Sequence, residues 1–176
     1  MKPVVRKAVA EDLDEVCRIY DLIHDAEESG SVTVGWRRGV YPTQATATGA
    51  LARGELFVMH VDGRVVASSI INHEQPEAYL SVEWKYPAPA EKVGVLHTLV
   101  VNPVVGKRGL GREFVSFFET YIKGCGCEVA RLDTQVKNVR PFNLYPRLGY
   151  RLAAIAETPF QNLPERVDLA MFEKKL

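Results

Sequence analysis

A chain of 176 residues is long enough to bury a core without disulfide or metal staples, and 47% apolar with 25% charged residues is an ordinary globular balance. Its 22 basic residues match 22 acidic ones, which excludes a global field steering it to nucleic acid or an anionic membrane. No apolar run approaches the roughly 18 residues that span a bilayer, and residues 1–16 mix charge with short apolar runs, so neither a membrane segment nor a secretory signal is expected.

Residues 3–7 read as a strand. Leu13, Val16, Cys17, Tyr20 and Ile23 then recur at helical spacing behind Glu11 and Asp12, acids that suit the positive end of a helix. Residues 29–42 form a loop punctuated by glycine. Thr43 follows Pro42 and is placed to cap a short helix running to about Arg53, where Gly54 ends it. Segments 55–61 and 64–72 flank Asp62-Gly63, a hairpin signal because both turn positions accept positive φ. Residues 73–92 are a long insertion with Pro76, Pro87 and Pro89, and a loop of this length in a small domain is usually functional.

Segment 93–101, almost wholly apolar, reads as a central strand, and 109–124 as an amphipathic helix bounded by glycines. A strand over 129–134, a short helix over 140–148 ended by Gly149, and strands over 150–156 and 167–172 follow. The pattern β-α-α-β-β-β-α-β-α-β-β predicts one α/β domain over 1–176, a mixed sheet with helices on both faces. Cys17, Cys125 and Cys127 are odd in number, and Cys125-Gly-Cys127 lacks the spacer of common zinc and redox motifs, so all three read as reduced structural thiols of a cytoplasmic protein. His24, His60, His73 and His97 fall in different elements, and no metal site is expected.

The chemistry concentrates where strand 93–101 runs through Asn-Pro-Val-Val-Gly-Lys-Arg-Gly-Leu-Gly into the next helix. Three glycines, Gly106, Gly109 and Gly111, let an anion approach the backbone amides at a helix start, and Lys107 and Arg108 add charge suited to phosphate. The residues alone describe a pyrophosphate cradle or a plain helix-start turn. The Gly-Lys-Ser/Thr ending of a P-loop is missing, and the position late in the chain argues against a dinucleotide fold.

The segment resembles the coenzyme A motif of the GNAT acetyltransferase superfamily, Gln/Arg-x-x-Gly-x-Gly/Ala after a strand and a proline turn. Gly109 and Gly111 fill its glycine slots; Gly106 stands where Gln or Arg is usual. Asn138-Val-Arg-Pro-Phe-Asn-Leu-Tyr-Pro-Arg-Leu-Gly-Tyr150 is similar to a second family signature, and the element order matches over almost the entire chain. The resemblance implies a mostly antiparallel mixed sheet with a splayed central strand pair and acetyl-CoA as cofactor. Leu99, Val100 and Val101 would pair with the pantetheine arm, and amides from Gly106 through Lys107, Arg108, Gly109 and Leu110 to Gly111 would hold the pyrophosphate. Asn138 would seat the arm or the following helix, and Asn143 would assist or serve as helix surface.

Tyr145 matches the family's tyrosine that protonates the departing sulfur; read without the family it is an amphipathic-helix residue at the core edge. For the base, His97 in its apolar strand resembles a strand histidine of arylalkylamine acetyltransferases, or is a core residue bonded to backbone. Glu83, an acid in the insertion, is the alternative. Trp36, Tyr41 and Trp84 would line an acceptor pocket or simply pack. The expected activity is transfer of acetyl to a primary amine on a small molecule, with a protein N-terminus or lysine, or a non-catalytic acyl-CoA sensor, as alternatives. Dimerisation through segment 160–172 is an added expectation from the family.

Overall fold

The computed structural model describes residues 2–105, 109–159 and 165–176. In chain order β1 (Val4–Lys7), α1 (Leu13–Glu28) and α2 (Gln44–Ala52) lead to the hairpin of β2 (Leu56–Val61) and β3 (Arg64–Asn72). After the insertion come β4 (Val93–Val101), α3 (Leu110–Gly124), β5 (Val129–Gln135), α4 (Val139–Arg147), β6 (Arg151–Pro159) and β7 (Arg166–Lys175). Among the described residues the sheet order is β1-β2-β3-β4-β5-β7-β6. β4 pairs parallel with β5, whereas β1–β2, β2–β3, β5–β7 and β6–β7 are antiparallel. The expected mixed, mostly antiparallel sheet with helices is therefore present. No helix among the described residues is long and apolar enough to cross a membrane.

Two compact units share this topology. The first comprises Met1–Val32, Trp36–Ile71 and His97–Phe117. Its hairpin turns as the Asp-Gly pair dictates, with φ of 52° at Asp62 and 79° at Gly63. Thr43 caps α2 by accepting the Thr46 amide at 3.4 Å, and Gly54 leaves the helix at φ 69°. Val16, Ile19, Tyr20 and Ile23 form the buried stripe of α1, as their spacing requires. Asp12 precedes that helix and takes Arg6 in a two-pronged ion pair at 2.7 and 2.9 Å while accepting the Val9 amide at 2.8 Å.

The second unit comprises Thr33–Gly35, Asn72–Leu96 and Phe118–Leu176. Gly94 on β4 lets Ile122 of α3 approach so closely that a Cβ there would lie 2.5 Å from the Ile122 Cδ1. β6 and β7 run longer than expected, because their ladder continues from Arg151↔Glu173 to Pro159↔Arg166. Of segment 160–172, expected above to mediate dimerisation, residues 160–164 lie outside the described residues.

The insertion is built, not slack. It contains short 3-10 turns at Glu77–Ser81 and Ala90–Lys92, and Tyr79 and Val82 join Val93, Val95, Val129, Leu169 and Met171 in one core cluster. It therefore covers a face of the β4, β5 and β7 strands with apolar side chains, each buried methylene worth about 0.8 kcal/mol.

Candidate active site

In the first unit, β4 ends in a turn that its own sequence makes. The Asn102 carboxamide oxygen accepts the Val104 amide at 2.9 Å, and the 3-10 turn Pro103–Val105 follows. Gly109 then takes φ 72°, a conformation costly to other residues, and a Cβ on it would meet nothing within 4 Å. Leu110 opens α3, and the Gly109 carbonyl accepts the Glu113 amide at 3.1 Å. Of the segment expected to form the cradle, the structure describes Gly109 and the start of α3, with Gly111 in its first turn. Gly106, Lys107 and Arg108 lie outside the described residues.

On β4 itself His97, Leu99 and Val101 are half-buried, while Thr98 and Val100 are buried. Thr98 takes φ 52°, a strained value for a β-branched residue. Two side chains grip the strand at this point: the Ser69 hydroxyl donates to the His97 carbonyl at 2.7 Å, and the Tyr41 and Thr98 hydroxyls are hydrogen-bonded. Trp36 meets the Tyr41 ring edge to face at 5.8 Å. His24 donates from Nε2 to the Pro42 carbonyl at 3.0 Å, tying α1 to the loop that carries Tyr41.

The second unit holds a carboxylate that the sequence analysis passed over. The parallel ladder closes at Leu96↔Leu132, and Asp133 is the next residue on β5. Its carboxyl accepts the Tyr79 hydroxyl at 2.8 Å. Burial pushes Asp133 up to about 6, with the Tyr79 hydrogen bond pulling the other way. The Tyr145 phenol is pushed above its ordinary range, chiefly by burial and then by the Asp133 charge. Tyr145 is presented by the end of α4, where its carbonyl accepts the Leu148 and Tyr150 amides and Gly149 reverses the chain at φ 87°. Its ring packs on Phe172 at 5.5 Å. Asn138 stands at the start of α4 without a side-chain capping bond, and Asn143 is exposed on that helix. The signal for Asp133 was available: one acid inside a strand otherwise made of buried residues.

Glu83 and Trp84 of the insertion are also in this unit. Glu83 is exposed. Trp84 braces the insertion: its ring lies 3.9 Å beneath the Arg131 guanidinium, and its N–H donates to the Tyr79 carbonyl at 3.2 Å. Glu173 is fully buried and accepts the Lys85 amide at 2.9 Å, the Tyr86 amide at 3.1 Å and the Arg151 guanidinium at 2.7 Å. A buried carboxylate with this many donors fixes residues 85–86 against β7.

The model of the acetyltransferase (GNAT) family matches residues 17–150. No curated protein sequence matches the chain. Among solved structures, an N-acetyltransferase from Staphylococcus aureus Mu50 is similar with a TM-score of 0.71 at 15% identity, covering 99% of each chain. The ribosomal-protein-S18-alanine N-acetyltransferase of Escherichia coli has a TM-score of 0.68 at 16% identity, over 99% of this chain and 94% of the other. The Salmonella typhimurium protein yncA, solved with its cofactor acetyl-CoA, has a TM-score of 0.67 at 17% identity, over 98% and 93%. At such identities the structural likeness is one of fold.

Proposed function

The chain belongs to the GNAT acetyltransferase family, and on that premise we propose that it acetylates a small primary amine, with Asp133 as general base and Tyr145 as general acid. It is an acyl-CoA N-acetyltransferase that uses acetyl-CoA. The residues present suit that cofactor: Gly109 has open space where a side chain would stand, and Leu110 begins a helix of 15 residues whose first amides lack partners within the helix. Amides from Gly109 to Gly111 would hold the pyrophosphate, and the backbone of Leu99, Val100 and Val101 the pantetheine arm. When bound, acetyl-CoA supplies the acetyl group as an activated thioester.

The observation that carries the reading is Asp133 on β5, half-buried and bonded at 2.8 Å to the Tyr79 hydroxyl, in the same unit as the buried Tyr145 phenol. A carboxyl raised to about 6 is charged at neutral pH, yet far more basic than an ordinary aspartate. It takes a proton from the acceptor's ammonium group, leaving the amine's lone pair free to attack. Tyr145, raised by burial, keeps its proton at Oη at neutral pH and is the group that can give one to a departing thiolate. Two titratable groups with opposite proton occupancy at one pH are the ordinary assignment of base and acid. Of the bases expected from the sequence, Glu83 is solvent-exposed and His97 is half-buried; neither has this environment.

Trp36 and Tyr41, joined edge to face, are the proposed aromatic lining for the acceptor. Trp84 is assigned to bracing the insertion, and the anchored insertion favours a compact acceptor over a protein surface. Thiol release from acetyl-CoA, measured over a panel of small primary amines and of peptides with free N-termini or lysines, tests the reading. Turnover of small amines is expected, reduced at least about tenfold in Tyr145→Phe. Gly109→Glu is expected to abolish acetyl-CoA binding. Binding without turnover of any amine would make the protein an acyl-CoA sensor, and turnover confined to peptides would refute the acceptor class.

A further inference from the structure

We propose that Tyr79 is a positioning residue for the base: its phenol, delivered by the insertion, orients the Asp133 carboxylate and holds it in its charged form. The inference rests on the assignment of Asp133 as base. It makes the insertion a working part of the proton-transfer apparatus, beyond any role in enclosing the acceptor.

Tyr79 is 2% exposed, and its hydroxyl donates to Asp133 Oδ2 at 2.8 Å. Among the described residues this is the one hydrogen bond to the carboxylate, so Oδ1 is left to an acceptor amine. The phenol cannot wander. Its amide donates to the Pro76 carbonyl at 2.8 Å, and its carbonyl accepts the Val82 amide and the Trp84 indole, both at 3.2 Å. Its ring stands edge-on to Trp84 at 5.2 Å. Trp84 in turn lies under Arg131, which is two residues before Asp133 on β5. The contacts close a ring: Arg131 holds Trp84, Trp84 holds Tyr79, and Tyr79 holds Asp133. Two backbone amides on Glu173 pin the next turn of the insertion. An aromatic residue needed only for packing would not require a hydroxyl here.

The groups facing Asp133 can be named element by element. The insertion offers Tyr79, α4 offers Tyr145, and β5 offers Arg131, whose guanidinium is engaged with Trp84, Gln75 and the Tyr86 carbonyl. β7 places Met171 directly opposite, with Glu173 two residues further on, and the ladder to β4 ends on Leu96↔Leu132. The hydroxyl stabilises the charged carboxylate, so its removal raises the proton affinity of Asp133, and a stronger donor lowers it.

The test titrates Asp133 directly by the carboxyl carbon resonance of 13C-labelled protein without substrates. In parallel, kcat/KM is measured against pH with acetyl-CoA and the best amine of the panel. Tyr79→Phe keeps the packed ring and is expected to move the Asp133 titration up by about one pH unit, the worth of one hydrogen bond to a charged group. The acidic limb of kcat/KM should follow, leaving activity at pH 6 about five- to tenfold lower and at pH 9 near wild type. Tyr79→3-fluorotyrosine, a stronger donor of nearly the same size, should move both the other way, which damage to the fold would not do; it carries the test if the Phe variant misfolds. An unmoved Asp133 resonance in the variants overturns the proposal, while a wild-type limb that still tracks Asp133 leaves the base assignment standing. A wild-type limb that ignores the Asp133 titration removes the base assignment, and this inference with it.

Discussion

Replacing Asp133 by asparagine should make the protein more stable and less active at once. The carboxyl lies half-buried on β5, and burial lifts it from an ordinary 3.8 to about 6. At 1.36 kcal/mol per pH unit, that displacement corresponds to about 3 kcal/mol. A carboxyl raised in the fold favours folding while it is protonated. That contribution is complete below about pH 3.8 and is lost as the pH rises through about 6. At pH 8 the wild type therefore carries the full cost of a buried charge. The neutral carboxamide of the variant would not, and its oxygen can still accept from Tyr79. Asp133→Asn is thus expected to unfold about 5–10 °C higher than wild type at pH 8, using the entropy of unfolding usual for this chain length, and at nearly the same temperature at pH 4. Its kcat/KM at pH 8 should fall at least about a hundredfold, the usual worth of a positioned base. Thermal unfolding at the two pH values, with thiol release on the same preparations, reads both effects. A variant that melts no higher than wild type at pH 8 would refute the burial argument, and one that keeps its rate would refute the role. Both effects together would show a fold that gives up stability to keep a working base.

Two further changes probe what holds this unit. Gly94→Ala places a Cβ 2.5 Å from Ile122 Cδ1 and 2.8 Å from its Cγ2, and should destabilise by about 1–3 kcal/mol in denaturant unfolding; Ile122→Ala in the same chain should recover part of the loss. Glu173→Ala leaves the Lys85 and Tyr86 amides and the Arg151 guanidinium without their acceptor. It should cost about 3–5 kcal/mol, with hydrogen exchange at those two amides accelerated before global unfolding.

How much of this was legible beforehand depends on the range of the interaction. Asp62-Gly63 announced its hairpin because both residues tolerate positive φ, a property of the residues themselves. Val16, Tyr20 and Ile23 announced the buried face of α1, and Thr43 and Gly54 the ends of α2, because helical period and capping are settled within a few positions. Gly109 and Gly111, with the signature ending in Gly149-Tyr150, disclosed the family for the same reason: they are local devices for a cradle and a helix end. The strand over 129–134 was foreseen, but not the surroundings of its acid. Asp133 is an ordinary aspartate until a hydroxyl 54 residues away and a layer of apolar side chains reset its proton affinity. Trp84 invited a reading as a pocket wall, since nothing near it in sequence reveals Arg131 above its ring. The long segment 73–92 stood out by its length, yet its anchoring depends on Glu173 at the far end of the chain. Sequence by itself determined the elements and their order, because torsional preference and short periodicity are carried by neighbouring residues, and its resemblance to a known family implied the cofactor class. Only the tertiary structure decided that Asp133 is shielded from water and bonded to Tyr79, because desolvation and hydrogen bonding are set by groups that the fold alone brings together.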